Sequence, residues 1–95
     1  MFNDFIFADQ GLTYFNVFGV RHEGTTVIVT VQYGYAAAGQ IVFEGVVDVE
    51  SEPVAGMVVE GIVVENGVYT FQPDISDTHG KLVITAAAAP RLVEA

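Results

Sequence analysis

The sequence predicts an all-β fold, a small antiparallel β-sandwich of about seven strands, and three observations indicate it. Valine occurs seventeen times in the 95 residues, and its β-branched side chain suits a pleated surface better than a helix. No window carries the i, i+3, i+4, i+7 apolar stripe of an amphipathic helix. The stretch TVIVTVQYGY alternates instead, as a half-buried strand does, and one of its faces carries Val27, Val29, Val31 and Tyr33.

Turn-forming residues divide the chain into the predicted strands. The Asn66–Gly67 pair between apolar runs is the strongest hairpin signal, because both residues tolerate a positive φ. Asp9–Gly11, Glu23–Gly24 and Glu50–Pro53 are further turns or breaks, and Ala36–Gln40 is a loop or a short helical turn. The predicted strands are, in order, Phe2–Ala8, Thr13–His22, the alternating stretch above, Gln40–Val49, Gly56–Val64, Val68–Gln72 and Lys81–Ala86.

One internal repeat stands out among these strands. IVFEGVV (Ile41–Val47) and MVVEGIV (Met57–Val63) match in pattern, and each places Glu-Gly within an apolar run. A glycine inside a strand usually marks a bulge, a bend or the close approach of another backbone. Two copies therefore predict paired bends that curl the sheets, whereas a solenoid would need at least three repeats.

The length allows one domain, which we place at residues 1–86, followed by a C-terminal arm at residues 87–95. Pro90 prevents the secondary structure that precedes it from continuing, because proline has no N–H to donate. The Arg91–Leu92–Val93 stretch beyond it offers a cation and two apolar side chains. We expect this arm to become ordered when the N-terminal strand or another chain receives it.

Composition excludes several function classes. Twelve acidic side chains against three cations give a net charge of −9, which would repel a nucleic-acid backbone. The chain has no cysteine for a thiolate site, no basic leader segment and no apolar run long enough for a membrane helix. We expect it in the cytoplasm or, if viral, in a virion. The low share of charged residues fits either a partner-covered surface or a valine-rich sheet with Thr, Gln and Gly outside.

A polar segment, Asp74–Gly80, invites a metal or catalytic interpretation. Asp74, Ser76 and Thr78 alternate as calcium ligands do, but Lys81 follows and no later bidentate Glu is present. A catalytic site would pair His79 or His22 with a carboxylate or a nucleophile, and the sequence indicates no such pair. His22 is next to Glu23, but adjacent residues of a strand face opposite sides. The segment is better explained as a turn that caps backbone amides. We therefore predict no catalytic residue, no cofactor and no metal.

The same region carries a resemblance to a known fold. GVYTFQP followed by DISDTHGKLVITA (Gly67–Ala86) resembles the final strands of immunoglobulin-like β-sandwich domains of the kind found in phage and viral structural proteins. About twenty residues carry this resemblance. The chain lacks the cysteines, the tryptophan and the tyrosine corner of the antibody type. The resemblance implies a sandwich.

Aromatic residues concentrate at the N-terminus, where eight of the eleven lie within the first 35 positions. Phe5 and Phe7 share one face of the first strand, and Phe2 shares the other with Ile6, so that strand is either sandwiched in the core or covered by another chain. We predict a protein-partner interface made of Phe2, Phe5, Phe7, Arg91, Leu92 and Val93.

This interface predicts a non-enzymatic structural or assembly protein that associates with itself or with a larger shell. The chain resembles capsid-decoration (cement) and tail proteins of tailed phages, which are short, cysteine-free and all-β. The alternative is a small carbohydrate- or ligand-binding module, for which Tyr33 and Tyr35 would be the aromatic platform.

Overall fold

The computed structural model describes residues 5–7, 12, 14–33, 37–74 and 80–94, and it confirms the all-β prediction. The described residues contain no helix, and thus none that could cross a membrane. Their strands are β1 (Phe5–Ile6), β2 (Phe15–Glu23), β3 (Thr26–Tyr33), β4 (Ala37–Phe43), β5 (Val46–Glu52), β6 (Met57–Glu65), β7 (Val68–Pro73), β8 (Lys81–Ala86) and β9 (Arg91–Glu94).

The strands form one antiparallel hydrogen-bonded path in the order β5-β8-β7-β6-β2-β3-β4-β9. β1 lies off this path and pairs with β6, beyond the stretch of β6 that pairs with β2. This single path differs from the two separate sheets of the predicted sandwich, and the immunoglobulin-like arrangement is not confirmed. The difference arises because a two-stranded ribbon and the strand β6 each pair with strands on both sides of an interruption or bulge.

The first bend lies in a long two-stranded ribbon. Ile41 of β4 pairs with Leu92 of β9, and eight residues along on both strands Val49 of β5 pairs with Ile84 of β8. The two strand pairs thus share one register across an interruption at residues 44–45 and 87–90. On one side of this interruption, β4 pairs with β3 through backbone hydrogen bonds. On the other side, β8 pairs with β7 in the same way. The ribbon therefore links the two ends of the path through the chain itself.

Backbone hydrogen bonds hold the ribbon's bend. The Ala87 N–H donates to the Gly45 carbonyl at 2.9 Å, and the Val46 N–H donates to the Thr25 carbonyl at 2.9 Å. Gly45 adopts a φ of 66°, and a Cβ there would lie 3.3 Å from the Ala87 Cβ. The glycine thus lets the two strands turn together at close quarters.

The second bend lies in β6. Its first residues pair with β2, its later residues pair with β7 and β1, and its register with β7 shifts by a bulge between Val59 and Gly61. The strand interruption at Gly45 and the bulge at Gly61 both fall at the Glu-Gly pairs of the repeat, where the sequence predicts an irregularity. The first Glu-Gly separates two strands, where the sequence predicted one continuous strand from Gln40 to Val49.

The bends wrap the sheet around one core. The Phe43 ring on β4 packs against the Tyr69 ring on β7 at a centroid distance of 5.3 Å, and Phe71 lies 6.1 Å from Phe43 and 6.2 Å from Phe15. β4 and β7 are separated by three strands on the path, so these contacts cross the interior. Burying such rings supplies much of the apolar stabilisation of a chain this short.

Turns follow the sequence prediction in one hairpin and shift in another. Asn66 and Gly67 have φ values of 52° and 78°, as a type I′ turn requires, and they join β6 to β7. The turn between β2 and β3 uses Gly24 and Thr25, one residue later than predicted. β1 ends at Ile6, before the predicted end at Ala8, because Phe7 lies in a turn, and β4 includes residues of the predicted loop Ala36–Gln40. The predicted turn at Asp9–Gly11 lies outside the described residues.

The C-terminal residues differ from the predicted arm. Arg91–Glu94 forms β9 and pairs with β4 of the same chain, so the domain extends beyond residue 86. Leu92 packs partly against the core, which explains why this strand docks on its own sheet. Pro90 lies in the bend before β9, where no ladder hydrogen bond is needed from it.

Candidate interaction surfaces and cleft

The predicted interface residues that the structure describes lie on β1, directly after β1, and on β9. Phe2 lies outside the described residues, and Phe5 occupies β1 opposite Val63 of β6. Phe7 follows β1 with a φ of 64° and packs half-buried against the core. Leu92 is also half-buried on the core, whereas Arg91 is exposed and Val93 retains 41% of its exposure.

Phe7 takes its position from a loop that leaves and rejoins one edge of β6. The Phe7 carbonyl accepts a hydrogen bond from the Leu12 N–H at 3.1 Å, and the Tyr14 N–H donates to the Glu60 carbonyl at 3.2 Å. Tyr14 also has a positive φ, 51°. Leu12 within this loop is fully buried, so the loop contributes to the core while it redirects Phe7.

An apolar cleft of about 290 Å³ brings the two ends of the described chain together. Its lining residues come from the end of β1, from β6 and β7, and from the bend before β9, and they are Ile6, Phe7, Val64, Tyr69, Ala89 and Pro90. Of the predicted interface residues, Phe7 lines this cleft. The lining residue Pro90 directly precedes β9, which carries Arg91, Leu92 and Val93.

A second surface lies on the outer face of β2, β3, β4 and β9. The pairings Arg21–Ile28, Ile28–Val42 and Val42–Arg91 form one row across these four strands. We call this face the outer patch, and its apolar members are Phe18, Ile28, Val42 and Val93. Phe18 is exposed over 51% of its surface where the register of β2 shifts against β3.

Both arginines of the outer patch are paired with carboxylates. The Arg21 Nε lies 2.8 Å from a Glu23 carboxylate oxygen, and Arg91 Nη1 forms an ion pair with Glu44. Two cations therefore balance two anions here, although the chain as a whole carries a net charge of −9. The outer patch is thus locally neutral. Such exposed ion pairs contribute little to stability.

The opposite end of the path has a different character. β5 is an edge strand whose outer face carries three carboxylates, from Asp48, Glu50 and Glu52. The Lys81 Nζ lies 2.7 Å from Glu50 Oε2, and this hydrogen bond, together with the charge of Glu50, raises the pKa of Lys81. Charged side chains on an edge discourage the pairing of another strand.

The positions of the polar segment are described only at its borders. Ser76, Asp77, Thr78 and His79 lie outside the described residues. The Asp74 N–H donates to the Val58 carbonyl at 3.0 Å. Among the residues that the structure describes, no group of three or more His, Asp or Glu side chains could hold a metal ion. His22 is exposed near the end of β2, and its neighbour Glu23 pairs with Arg21.

Tyr14 and Glu60 form an exposed polar contact beside this segment. The Tyr14 hydroxyl donates to Glu60 Oε1 at 3.4 Å. The negative charge of Glu60, followed by partial burial and the charge of Asp74, raises the pKa of Tyr14 above its ordinary value of 10.0. The contact ties the loop before β2 to the bulge of β6.

Sequence reasoning missed most of the cleft and of the outer patch. The Asn66–Gly67 hairpin places Val64 opposite Tyr69, but Ala89 joins them only because the ribbon's bend meets β6 and β7 in space. Ile28 and Val42 were assigned to strands, but their common row depends on the β3–β4 register. The alternation of β3 predicted that Ile28 faces away from Val27 and Val29, which is the signal that could have located the patch.

The fold and these surfaces define the class to which the chain belongs: small all-β proteins built from one bent antiparallel sheet. Comparison with protein-family models, with curated proteins and with solved structures gives no match for this chain. The molecule's own surfaces are therefore the basis on which a function can be assigned.

Proposed function

We propose that the protein is a non-enzymatic structural module that assembles with copies of itself or with a larger protein shell. A virion component, such as a capsid-decoration (cement) or tail protein, is the form that we expect. The observation that carries the proposal is the outer patch, which combines the exposed side chains of Phe18 and Val93 and the half-buried Ile28 with a neutral local charge on a strongly acidic molecule.

Charge supports this choice of surface. Two copies that meet through any acidic face would repel each other, because the chain has only three cations. The outer patch contains two of them, each already paired with a carboxylate. Contact through this patch removes apolar surface from water and keeps the unbalanced acids at a distance.

The two edges of the sheet support the same choice. β9 ends the path and pairs on one side with β4, and its other side is an edge among the described strands, to which a further strand can be added. It carries Leu92 and Val93, whereas the other edge, β5, carries its three outer-face carboxylates. We therefore assign association to the β9 end of the molecule.

Two matched substitutions test the proposal. Val93→Asp places a charge on the outer patch, and Val47→Asp places the same charge on β5, where Val47 is 74% exposed. We expect wild type to self-associate in sedimentation equilibrium, Val93→Asp to weaken association about tenfold or more, and Val47→Asp to leave it unchanged. A wild-type chain that stays monomeric over the whole concentration range would contradict self-association, and equal effects of the two variants would contradict the assignment of association to the outer patch.

Ligand binding is the second candidate function, and the apolar cleft is the observation that favours it. A carbohydrate platform at Tyr33 and Tyr35 has no support of this kind, because Tyr35 and the Tyr33 side chain lie outside the described residues. The cleft itself suits a different class of ligand.

A further inference from the structure

We infer that the cleft between the two ends of the chain binds a small, neutral, fused-ring aromatic molecule that carries one hydrogen-bond acceptor. This site is separate from the assembly surface proposed above, because the cleft and the outer patch share no residue.

The size of the cleft sets the size of the ligand. An apolar cavity of about 150 Å³ holds one benzene ring, so the cleft's volume of about 290 Å³ accommodates two fused rings. The Phe7 and Tyr69 side chains and the Pro90 ring provide flat apolar contacts for such a ligand.

The lining sets the charge of the ligand. None of the lining residues that the structure describes is charged, so an ionic group would lose its hydration beside them without a partner. The net charge of −9 further disfavours an anion. A neutral aromatic molecule meets neither penalty.

Tyr69 supplies the polar contact. Within the described part of the lining, its hydroxyl is the only side-chain hydrogen-bonding group. Tyr69 is 7% exposed, its ring is packed edge-on against Phe43, and no hydrogen bond of its hydroxyl occurs within the described part of the chain. A buried phenol usually finds a partner. A ligand atom that accepts this O–H in the cleft would provide one.

Quinoline and naphthalene form a matched pair of probes for this site. They have the same shape, and quinoline adds one ring nitrogen that accepts a hydrogen bond. We expect both probes to shift the amide resonances of Val64, Tyr69 and Ala89 in protein-observed NMR titrations. Quinoline should bind wild type about fivefold more tightly, as one net hydrogen bond predicts.

Three variants make the test specific. Tyr69→Phe should abolish the fivefold preference and leave naphthalene binding unchanged. Val64→Trp, at a residue that is 38% exposed, should fill the cleft and prevent binding of both probes, whereas Val47→Trp on β5 should bind both as wild type does. Val93→Asp should also bind both normally, which separates this site from the assembly surface.

Three results would overturn the inference. They are an absence of shifts at the cleft residues, equal affinities of the two probes for wild type, or a quinoline preference that survives in Tyr69→Phe.

Discussion

Gly80 occupies a position that no other residue can adopt without a rearrangement. Its φ is 88°, and a Cβ built on it would lie 2.6 Å from the Met57 Sδ and 2.9 Å from the Pro53 carbonyl oxygen. Met57 is fully buried at the start of β6. The glycine therefore lets the chain pass closely over the core as it enters β8.

Substitution of Gly80 should separate the steric cost from the cost of the backbone conformation. Gly56 has a similar φ of 81°, but a Cβ there meets nothing within 4 Å. We expect Gly56→Ala to lower the free energy of unfolding by about 1–2 kcal/mol. Gly80→Ala should lower it by about 2–5 kcal/mol, because overpacking is added. Urea denaturation measures both values, and equal losses would show that the Met57 contact relaxes freely.

Tyr14 should titrate above its ordinary pKa of 10.0 because Glu60, partial burial and Asp74 all disfavour the phenolate. The folded state then holds this proton more tightly than the unfolded state. The resulting contribution to stability is present below pH 10.0 and is lost as the pH rises through the raised pKa. NMR titration of the Tyr14 ring checks the direction. Glu60→Gln should bring the pKa closer to 10.0, and an unchanged value would contradict the assigned cause.

Single residues were predictable from sequence where the backbone requirement is local. The Asn66–Gly67 turn has the positive φ values that its sequence indicates. The positive φ values of Phe7 and Tyr14 carry no such local signal, because these residue types usually avoid that region. They become necessary only because the loop leaves and rejoins the same edge of β6.

At the scale of elements, β9 shows what sequence patterns miss. Four residues after a proline carry too few alternating positions to identify a strand. The strand exists because its register on β4 continues that of β8 on β5. The Glu-Gly repeat did reveal the two bends. It could not reveal that β8 and β9 pair with β5 and β4 on the two sides of the first bend.

A disulfide can test the β4–β9 pairing directly, because the natural chain has no cysteine. Gln40 and Val93 are register partners on the outer face. We expect Gln40→Cys/Val93→Cys to form an intrachain bond under oxidising conditions and to raise the free energy of unfolding by about 2–4 kcal/mol.

Gln40→Cys/Val83→Cys is the control for this experiment, because Val83 lies on β8 and pairs with Glu50. It should give no intrachain bond. Non-reducing electrophoresis distinguishes the products. If Gln40→Cys/Val93→Cys gave exclusively intermolecular bonds, β9 would belong to a neighbouring molecule.

At the scale of the whole molecule, twelve acids and three cations act on the stability of the compact state. Repulsion among the acids destabilises the compact state. Salt weakens this repulsion, and at 0.1 M ionic strength it largely screens exposed charges that lie more than about 10 Å apart. The all-β class was predictable because it depends on composition and alternation summed over the chain. The wrapping of one sheet into both halves depends on long-range registers.

Added sodium chloride should therefore raise the melting temperature. Asp48→Asn/Glu52→Gln, which removes two exposed charges from the acidic edge β5, should reduce this salt dependence. Far-UV circular dichroism against temperature at low and high salt measures both effects. A melting temperature that falls with salt would mean that the exposed ion pairs outweigh the repulsion.

The bent ribbon also fixes the order in which the protein can fold. The β2–β3 and β6–β7 hairpins join residues close in sequence, whereas the ribbon joins Gln40 to Val93 and Glu50 to Val83. Closing such long loops costs entropy before any contact repays it. The two hairpins should therefore form early, and the ribbon should close late. Until that moment the edge of β4 that β9 occupies in the native sheet has no partner strand, and its backbone N–H and C=O groups are open to pairing with another chain.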